Sequence, residues 1–322
     1  MCGILIYLSK KKISHQNFSK ALDLLNHRGP DNTSIVKINL ANKKISKSND
    51  GDESSFFCGH KRLSIIDLSK KSNQPMYDYR ENKILLYNGE FYNYKPYSNI
   101  DTLTSDSLTL FNSLNKKGIN FLEEVIGMWA LVFIDLNNNI INISRDLYGK
   151  KPLYYFYDSE TLILSSEIKS IYSILKKSRK VNPEALAFFL TYKMSPFLSQ
   201  KETFYKNINN VIAGEIKFFN INTFNFLESK FINKNDSSYD QKILDNKVKD
   251  LFLSDFSKSI DYRLQSDTKI GISLSGGIDS SLISILSSKK NKNINYYTVY
   301  NKERNIDDQD DLFFSRLLAK EL

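Results

Sequence analysis

Short apolar stretches with a period of two run through the first two thirds of the chain and predict β-strands. Seven of them are rich in Ile, Leu, Val and Tyr, and turn-forming residues separate them. In chain order they read CGILIYL, SIVKINL, KILLYNGEFY, MWALVFIDL, NIINIS, PLYYFYD and TLILSSE. Helical periodicity interrupts them at 16–26, 105–115 and 183–189. Many strands with few helices predict an α+β layered domain.

The pattern changes after residue 220. A polar stretch over 220–240 predicts a linker, and a helical stretch follows over 242–264. The apolar run KIGISL predicts a buried strand, and the loop SGGIDSS, the helical run SLISILSSKK, the strand NINYYTVY and the helical run DDLFFSRLLAKEL come after it. Strand, glycine loop, helix, strand and helix are typical of the beginning of a parallel α/β sheet, so we predict a second domain.

Composition narrows the function classes. The 322 residues are 41% hydrophobic and carry a net charge of +9, but lysines are scattered along the chain. Scattered lysines indicate a solvated basic surface and argue against a nucleic-acid face. Two cysteines exclude a disulfide framework, and Lys10, Lys11 and Lys12 follow the first apolar run where a signal peptide has its charges before it. With no apolar run of bilayer length, we expect a cytoplasmic protein without membrane contact.

Cys2 directly follows the initiator methionine, and its small side chain predicts removal of Met1. The mature chain would then begin with a thiol and an α-amine on one residue. An α-amine has a pKa of about 7.7 to 8.0, so it can accept the thiol proton without a histidine. The alternative is a small apolar residue with no role, which is the stronger interpretation of Cys2 alone.

Six stretches together carry a family resemblance. They are HRGPD at 27–31, GHKRLSIIDLS at 59–69, YNGEFYNY at 87–94, GMWALVFID at 127–135, RDLYGKKPLYY at 145–155 and SSEIK at 165–169. With them the chain resembles glutamine-hydrolysing asparagine synthetases over nearly its whole length. The resemblance implies an N-terminal-nucleophile glutaminase domain with αββα layers at 2–215. It also implies a partial ATP-pyrophosphatase domain, similar to adenine nucleotide alpha hydrolases, at 241–322.

A site that binds and hydrolyses glutamine requires a cation, an anion and an oxyanion hole, and the motifs contain candidate residues for all three. Arg62 suits the α-carboxylate, while Glu90 and Asp106 can accept hydrogen bonds from the α-ammonium. Asn88 and Gly89 are the candidate oxyanion hole for attack by the Cys2 thiol. The open alternatives are an exposed strand-end charge for Arg62, a helix N-cap at Ser105 or Asp106, a solvated strand residue for Glu90 and a hairpin turn for Asn88-Gly89.

Two further features receive structural interpretations only. The stretch 28–31, RGPD, predicts a tight turn that shapes the pocket, and we assign it no chemistry. Cys58, in FFCGH, is interpreted as a buried strand residue.

The loop SGGIDSS lies between a strand and a helix and lacks the lysine of a Walker motif. Its glycines allow a nest of backbone N–H groups at a helix N-terminus, where a pyrophosphate would fit. A plain turn is the alternative. The resemblance implies ATP contacts from Ser275, Gly276, Gly277, Asp279, Ser280 and Ser281, with Mg²⁺ at Asp279 and the adenine near Val299.

The resemblance implies ATP-dependent synthesis of asparagine from aspartate with ammonia released from glutamine. The family's synthetase domain continues for a few hundred residues more, so we expect a truncated chain in which only the glutaminase half is complete. A homodimer or a complementing C-terminal chain would be the partner. Three alternatives stay open: an amidotransferase for another carboxylate such as a surface-polysaccharide sugar, a non-catalytic scaffold, and a basic nucleic-acid-binding protein.

Overall fold

The computed structural model describes residues 1–99, 105–193, 201–233, 245–300 and 311–322. Its internal contacts divide the chain into two compact units, Met1–Lys234 and Asn235–Leu322. Each unit is built from elements of its own, so the two are described separately.

The first unit contains two antiparallel sheets, and the first of them has seven strands. The order across this sheet is β11-β9-β10-β1-β4-β2-β3, with β1 at Gly3–Ser14, β2 at Asn32–Asn39, β3 at Lys44–Lys47, β4 at Glu53–Arg62, β9 at Tyr154–Tyr157, β10 at Thr161–Ser165 and β11 at Ile208–Asn210. The N-terminal strand β1 therefore lies in the middle of the sheet, where neighbours on both sides hold it.

The second sheet has the order β13-β12-β8-β7-β6-β5, and β14 also pairs with β12. Its strands are β5 at Met76–Asp78, β6 at Lys83–Phe91, β7 at Gly127–Asp135, β8 at Ile140–Arg145, β12 at Glu215–Asn220, β13 at Asn225–Phe226 and β14 at Lys230–Phe231. The strand β5 is only three residues long, so most of one edge of β6 extends beyond it.

The two sheets pack face to face through the alternate side chains of their strands. Ile4, Ile6 and Cys58 of the first sheet are fully buried against Leu86 and Val132 of the second. The prediction that Cys58 is a buried strand residue is confirmed. Burial raises the pKa of the Cys58 thiol well above its ordinary value, so this cysteine remains a neutral core residue.

Helices cover the outer faces of both sheets. They are α1 at His15–Asp23, α2 at Asp106–Lys117 and α3 at Ile168–Leu175. A fourth helix, α4 at Pro183–Tyr192, is largely exposed. Buried residues of α1 and α3 pack on the first sheet, and buried residues of α2 pack on the second. The predicted αββα layering is confirmed. The sequence pattern does not predict the eight-residue α3, which begins at Ile168, directly after the stretch TLILSSE that predicts a strand.

The predicted linker begins too early. Within 220–240, β13 and β14 pair with β12 and so belong to the second sheet of the first unit. The ring of Phe219 packs edge to face against the rings of Phe224 and Phe226 beside these strands. Polar residues dominate this stretch by count, but its few aromatic residues decide where it packs. Residues 234–240 of the predicted linker lie outside the described residues.

The second unit is small. Its strands β15, at Ile270–Ser273, and β16, at Ile294–Tyr297, form a two-stranded parallel sheet. Its helices are α5 at Asp245–Arg263, α6 at Ile278–Lys290 and α7 at Asp311–Glu321. Large apolar side chains such as Phe252, Val299 and Leu317 are more than half exposed. Two strands bury too little surface for a full core, as the sequence predicts.

Among the helices that the structure describes, none combines the length and the apolar character needed to cross a bilayer.

Candidate active site

Cys2 lies directly before β1, at the end of the inter-sheet space. Its backbone N–H donates to Asn88 Oδ1 at 2.9 Å, and its carbonyl accepts from Arg28 Nε at 2.9 Å. The Leu63 N–H donates to the Cys2 sulfur at 3.4 Å. Burial raises the pKa of the Cys2 thiol, while this N–H and nearby positive charges act in the opposite direction. Three hydrogen bonds therefore fix the thiol-bearing residue in place.

Along the edge of β6 beside Cys2, side chains form hydrogen bonds that a neighbouring strand would otherwise form. The neighbouring strand β5 begins at Met76, which pairs with Leu85, so β5 has no residue to pair with the part of β6 after Leu85. Beyond that point Gln74 Oε1 accepts from Tyr87 N–H at 2.6 Å, and His60 Nε2 donates to the Tyr87 carbonyl at 3.1 Å. Burial lowers the His60 pKa to about 4, so the ring is neutral at neutral pH. Side chains thus replace the missing strand at Tyr87.

Gly89 is two residues after Tyr87 in β6, so its backbone faces the same edge of the strand. Since alternate residues of a strand direct their N–H groups to the same edge, Gly89 N–H points where Tyr87 and Phe91 N–H point. The Phe91 N–H donates to Asp106 Oδ2 at 3.0 Å. A Cβ at Gly89 would stand 2.2 Å from the Met128 carbonyl oxygen of β7, so a glycine is required. The Asn88-Gly89 pair is inside β6, and the hairpin-turn alternative is wrong.

Asn88 directs both ends of its amide to the site. Its Oδ1 accepts from the Cys2 N–H, and its Nδ2 is buried without a hydrogen-bond partner among the described residues. A buried unsatisfied donor costs about 1–3 kcal/mol, so natural proteins retain one mainly where function needs it. Asn88 and Gly89, which carry these two candidate donors, line the same cavity as Cys2.

Arg62 is the last residue of β4 and is 5% exposed, so it is not the exposed strand-end charge of the alternative interpretation. Its guanidinium donates to the Ser69 carbonyl at 2.7 Å and to Asn73 Oδ1 at 2.9 Å, and it also contacts the Asp67 carbonyl. These three acceptors are neutral, so they orient the Arg62 guanidinium without compensating its positive charge. The positive charge is therefore retained for an anionic ligand.

Asp106 is the first residue of α2, and Ser105 is the N-cap, with its hydroxyl accepting from Leu108 N–H at 3.2 Å. The Asp106 carboxylate accepts from Phe91 N–H and from Ser107 N–H. Burial raises the Asp106 pKa to about 7. A ligand cation beside this carboxylate would lower its pKa again.

One cavity joins these groups. It has a volume of about 40 Å³, and Met1 is part of its wall. The predicted residues that line it are Cys2, Arg62, Asn88, Gly89, Glu90 and Asp106. The two sheets and α2 thus bring together side chains from four separate stretches of sequence.

The loop after β15 forms a second candidate site in the other unit. Gly276 has a φ of +85°, and a Cβ there would stand 2.3 Å from the Asp311 carbonyl oxygen. Gly277 is the N-cap residue of α6 and provides no side chain for the first N–H groups of that helix. The Ser275 and Ser280 hydroxyls contact each other at 3.0 Å. A positive-φ glycine beside uncapped helix N–H groups fits a phosphate.

Of the remaining residues predicted for this site, Asp279 and Val299 are exposed and Ser281 is half-buried. Asp279 lies in the first turn of α6, and Ser281 N–H donates to the Gly277 carbonyl at 3.0 Å as a normal helix bond. Val299 is 97% exposed and follows β16. No group of three His, Cys, Asp or Glu residues that could hold a metal occurs in the described part of the chain, so Asp279 would need oxygen ligands from phosphate and water to hold Mg²⁺.

Comparison with protein families identifies the first unit. The model of the glutamine amidotransferase domain matches residues 1–231. The chain belongs to this family. A second family model, asparagine synthase, matches residues 251–322, which include the loop of the second unit.

Curated relatives confirm the resemblance to glutamine-hydrolysing asparagine synthetases. A putative glutamine-hydrolysing asparagine synthetase 2 of Methanocaldococcus jannaschii is 32% identical over 306 residues, covering 88% of this chain and 56% of that protein. The glutamine-hydrolysing asparagine synthetase 2 of Bacillus subtilis is 30% identical over 273 residues, covering 81% of this chain and 36% of that protein. The chain spans about half the length of the first relative and about a third of the second.

A solved structure supports the fold of this amidotransferase. The glutamine phosphoribosylpyrophosphate amidotransferase of B. subtilis superposes with a TM-score of 0.51 at 16% identity, covering 94% of this chain and 67% of that chain. At this identity the similarity concerns the fold alone.

The sequence interpretation missed the contacts of the RGPD turn. Arg28 donates to the Cys2 carbonyl and forms an ion pair with Glu167 at 3.0 Å. Gly29 packs so closely on β4 that a Cβ would stand 2.3 Å from the Lys61 carbonyl oxygen. Asp31 Oδ2 accepts from Ser64 N–H at 2.7 Å. Arg28 and Glu167 both lie in motifs that carry the family resemblance, but the sequence does not indicate that they form an ion pair.

Proposed function

We propose that the Cys2 site hydrolyses the side-chain amide of glutamine. The observation that carries the proposal is that Cys2, Asn88 and Gly89 line one cavity, where Asn88 Oδ1 accepts from Cys2 N–H, Asn88 Nδ2 has no partner among the described residues and β5 leaves the Gly89 edge of β6 unpaired. Donors placed beside a nucleophile stabilise the oxyanion that forms when a carbonyl is attacked. The names of the relatives support glutamine as the substrate.

The ends of the same cavity suit the amino-acid part of glutamine. Arg62 would bind the α-carboxylate, and Asp106 with Glu90 would bind the α-ammonium. With Met1 in its wall, the cavity volume of about 40 Å³ is close to one water's share of about 30 Å³ in liquid water. Removal of Met1 would both enlarge the cavity and free the α-amine of Cys2.

The proposed reaction begins with transfer of the thiol proton to the α-amine of Cys2. The thiolate sulfur then bonds to the amide carbon, and the oxyanion lies between Asn88 Nδ2 and Gly89 N–H. The carbon–nitrogen bond breaks, the amine returns the proton to nitrogen, and ammonia leaves. Water then attacks the glutamyl thioester, which restores the thiol and releases glutamate.

For the second unit we propose ATP binding at 275–281, where the backbone N–H groups and the serine hydroxyls would contact the phosphates. Mg²⁺ at Asp279 and the adenine near Val299 belong to the same proposal. Together with aspartate as the acceptor, the two sites would serve asparagine synthesis in the cytoplasm, where a free thiol stays reduced. A homodimer or a complementing C-terminal chain is the proposed partner, and the exposed apolar residues of the second unit support such a contact.

The test is glutamate release from glutamine by the full chain. Intact mass first establishes the loss of Met1, and a glutamine-mimicking diazo ketone should then label the Cys2 sulfur alone. The Cys2→Ala variant should lose glutamate release completely, because no other described group beside the cavity supplies a nucleophilic sulfur.

The matched control is Cys58→Ala, which removes the buried cysteine and should leave turnover unchanged in folded protein. Persistent hydrolysis by Cys2→Ala would overturn the proposal. Glutamate release without asparagine formation from ATP, aspartate and ammonium would overturn only the part about synthesis.

A further inference from the structure

A buried cation next to Cys2 has no assigned role. Lys151 lines the same cavity as Cys2 and is 9% exposed. Among the residues that the structure describes, none forms a hydrogen bond or an ion pair with its ammonium group. Partial burial disfavours the charged form of this lysine, so a fold tends to keep a lysine at such a place where its charge is used.

The loop that carries Lys151 is held rigidly. Arg145 Nε donates to the Lys151 carbonyl at 2.6 Å, and another arm of the same guanidinium donates to Asn210 Oδ1 at 2.9 Å. Asp146 accepts from the N–H groups of Lys150 at 3.0 Å and Lys151 at 3.2 Å. Backbone bonds on both sides of Lys151 therefore direct its side chain toward the cavity.

The other two cations of the site are already engaged. Arg28 is paired with Glu167, and Arg62 donates to two carbonyls and to Asn73 Oδ1. Lys151 differs from both in that its ammonium group makes no hydrogen bond or ion pair within the described parts of the chain, although the charge of Arg62 also acts on Cys2. Its field therefore acts on the groups that face the cavity.

We propose that Lys151 is a positioning residue whose positive charge favours the thiolate of Cys2. The proposal rests on the glutaminase function proposed above for Cys2. A cation beside an acidic group stabilises its deprotonated form, and it also favours loss of a proton from the α-ammonium.

The electrostatic interactions of Lys151 with Glu90 and Cys2 act in the direction that the proposal requires. Burial lowers the Lys151 pKa, and the negative charges of Glu90 and of ionised Cys2 raise it. Burial raises the pKa of the Cys2 thiol, and the charge of Lys151 is one of the influences that oppose this rise. Burial lowers the pKa of the Met1 α-ammonium, and Lys151 acts in the same direction. The other titratable or charged groups around Cys2 and Lys151 are Arg28, Arg62, Tyr87, Glu90, Asp106 and Asp146. Because the substitutions tested leave these groups intact, a shift in the thiol titration reports the Lys151 charge.

The experiment measures the rate at which iodoacetamide alkylates Cys2 as a function of pH, in full-length chain that has lost Met1, with the modified peptide identified by mass. Lys151→Met keeps most of the side-chain volume and removes the charge. We expect its alkylation midpoint to rise by about one pH unit, which lowers the rate at pH 7 by roughly tenfold. Lys151→Arg keeps the charge and should retain the wild-type midpoint.

The matched control is Lys150→Met, which removes the same charge from an exposed neighbour and should leave the midpoint unchanged. An unchanged midpoint in folded Lys151→Met, or an equal shift in Lys150→Met, would overturn the proposal. If Lys151→Met does not fold, as judged by Trp129 fluorescence, Lys151→Gln takes its place under the same criteria.

Alkylation does not require glutamine, so the two proposals can fail separately. A shifted midpoint in a chain that never releases glutamate would contradict the glutaminase function alone. Normal glutamate release with an unshifted midpoint would contradict the role of Lys151 alone.

Discussion

At the scale of single residues, Asn88 connects the thiol-bearing residue to the candidate oxyanion site. Its Oδ1 holds the Cys2 nitrogen, and its Nδ2 is left without a partner among the described residues. Neighbouring backbone provides the second donor at Gly89, where only a glycine clears the Met128 carbonyl. One amide thus fixes the direction of the nucleophile relative to the donors.

Asn88→Asp separates these two tasks. The variant keeps the oxygen that accepts from the Cys2 nitrogen and replaces the donor with a second anionic oxygen. We expect kcat for glutamate release to fall by at least about 10²-fold, because loss of one oxyanion donor typically costs 10²–10³ in rate. Steady-state kinetics with glutamine measures the change.

Asn142→Asp is the control, since Asn142 is also a buried asparagine of the second sheet but donates to the Phe133 carbonyl. It should reduce stability and leave kcat of the folded fraction unchanged. A normal kcat in Asn88→Asp would remove Asn88 from the proposed oxyanion hole.

At the scale of elements, α2 places a carboxylate at the edge of β6. Its N-cap Ser105 is fully buried, and the Ser105 hydroxyl accepts from Leu108 N–H and contacts the Ser72 hydroxyl at 2.6 Å. The next residue, Asp106, then reaches Phe91 N–H. The start of this helix therefore positions the carboxylate that is proposed to bind the α-ammonium. The alternative of a helix N-cap at Ser105 or Asp106 is confirmed at Ser105, and Asp106 is the first residue of the helix.

Ser105→Ala should affect both stability and substrate binding. Loss of a helix N-cap costs about 1 kcal/mol, and the buried Ser72 hydroxyl also loses a partner. Because Asp106 follows directly, we expect KM for glutamine to rise several-fold while kcat changes little. Urea unfolding and steady-state kinetics measure the two effects.

Asn182→Ala is the matched control, because Asn182 caps the start of α4 with its side chain. It should cost a similar free energy of unfolding with an unchanged KM. An equal rise of KM in both variants would show that the effect comes from general destabilisation and not from Asp106.

At the scale of the whole molecule, two buried titratable groups in the first unit give opposite pH dependences. Burial raises the Asp106 pKa to about 7 and lowers the His60 pKa to about 4. The folded state therefore keeps a proton on Asp106 between about pH 4 and 7, where the unfolded chain releases it, so stability falls as pH rises. The unfolded chain keeps a proton on His60 between about pH 4 and 6.5, where the folded state has none, so stability rises with pH.

Single substitutions should reveal both slopes. Each contributes about 3–4 kcal/mol over its window, so they nearly cancel in the wild type. From pH 4 to 6.5 we expect Asp106→Asn to become more stable with rising pH and His60→Gln to become less stable. Urea unfolding followed by fluorescence of Trp129, the single tryptophan, reports the first unit.

The double variant serves as the control and should show a flatter profile than either single variant. Parallel slopes in the two single variants would contradict the assigned directions of the pKa shifts.

The sequence by itself predicted seven strands of the first unit, the layered class and the residue types of the site, but it did not predict shorter strands such as β5 and β12. Period-two apolar runs predict strands because each strand buries one face, and Cys2, Arg62, Asn88, Gly89, Glu90 and Asp106 carry chemistry that suits glutamine. These residues all line one cavity. The roles assigned to them stay predictions until the experiments above are done.

Only the tertiary structure decided which side chains meet. The ion pair of Arg28 with Glu167 spans 139 positions, and the place of Lys151 beside Cys2 depends on a loop far along the chain. Local pattern carries no information on such separations, because contacts between distant residues are set by strand order and sheet packing. For the same reason, Asn88-Gly89 reads locally as a turn but lies within β6, where the β7 backbone requires the glycine.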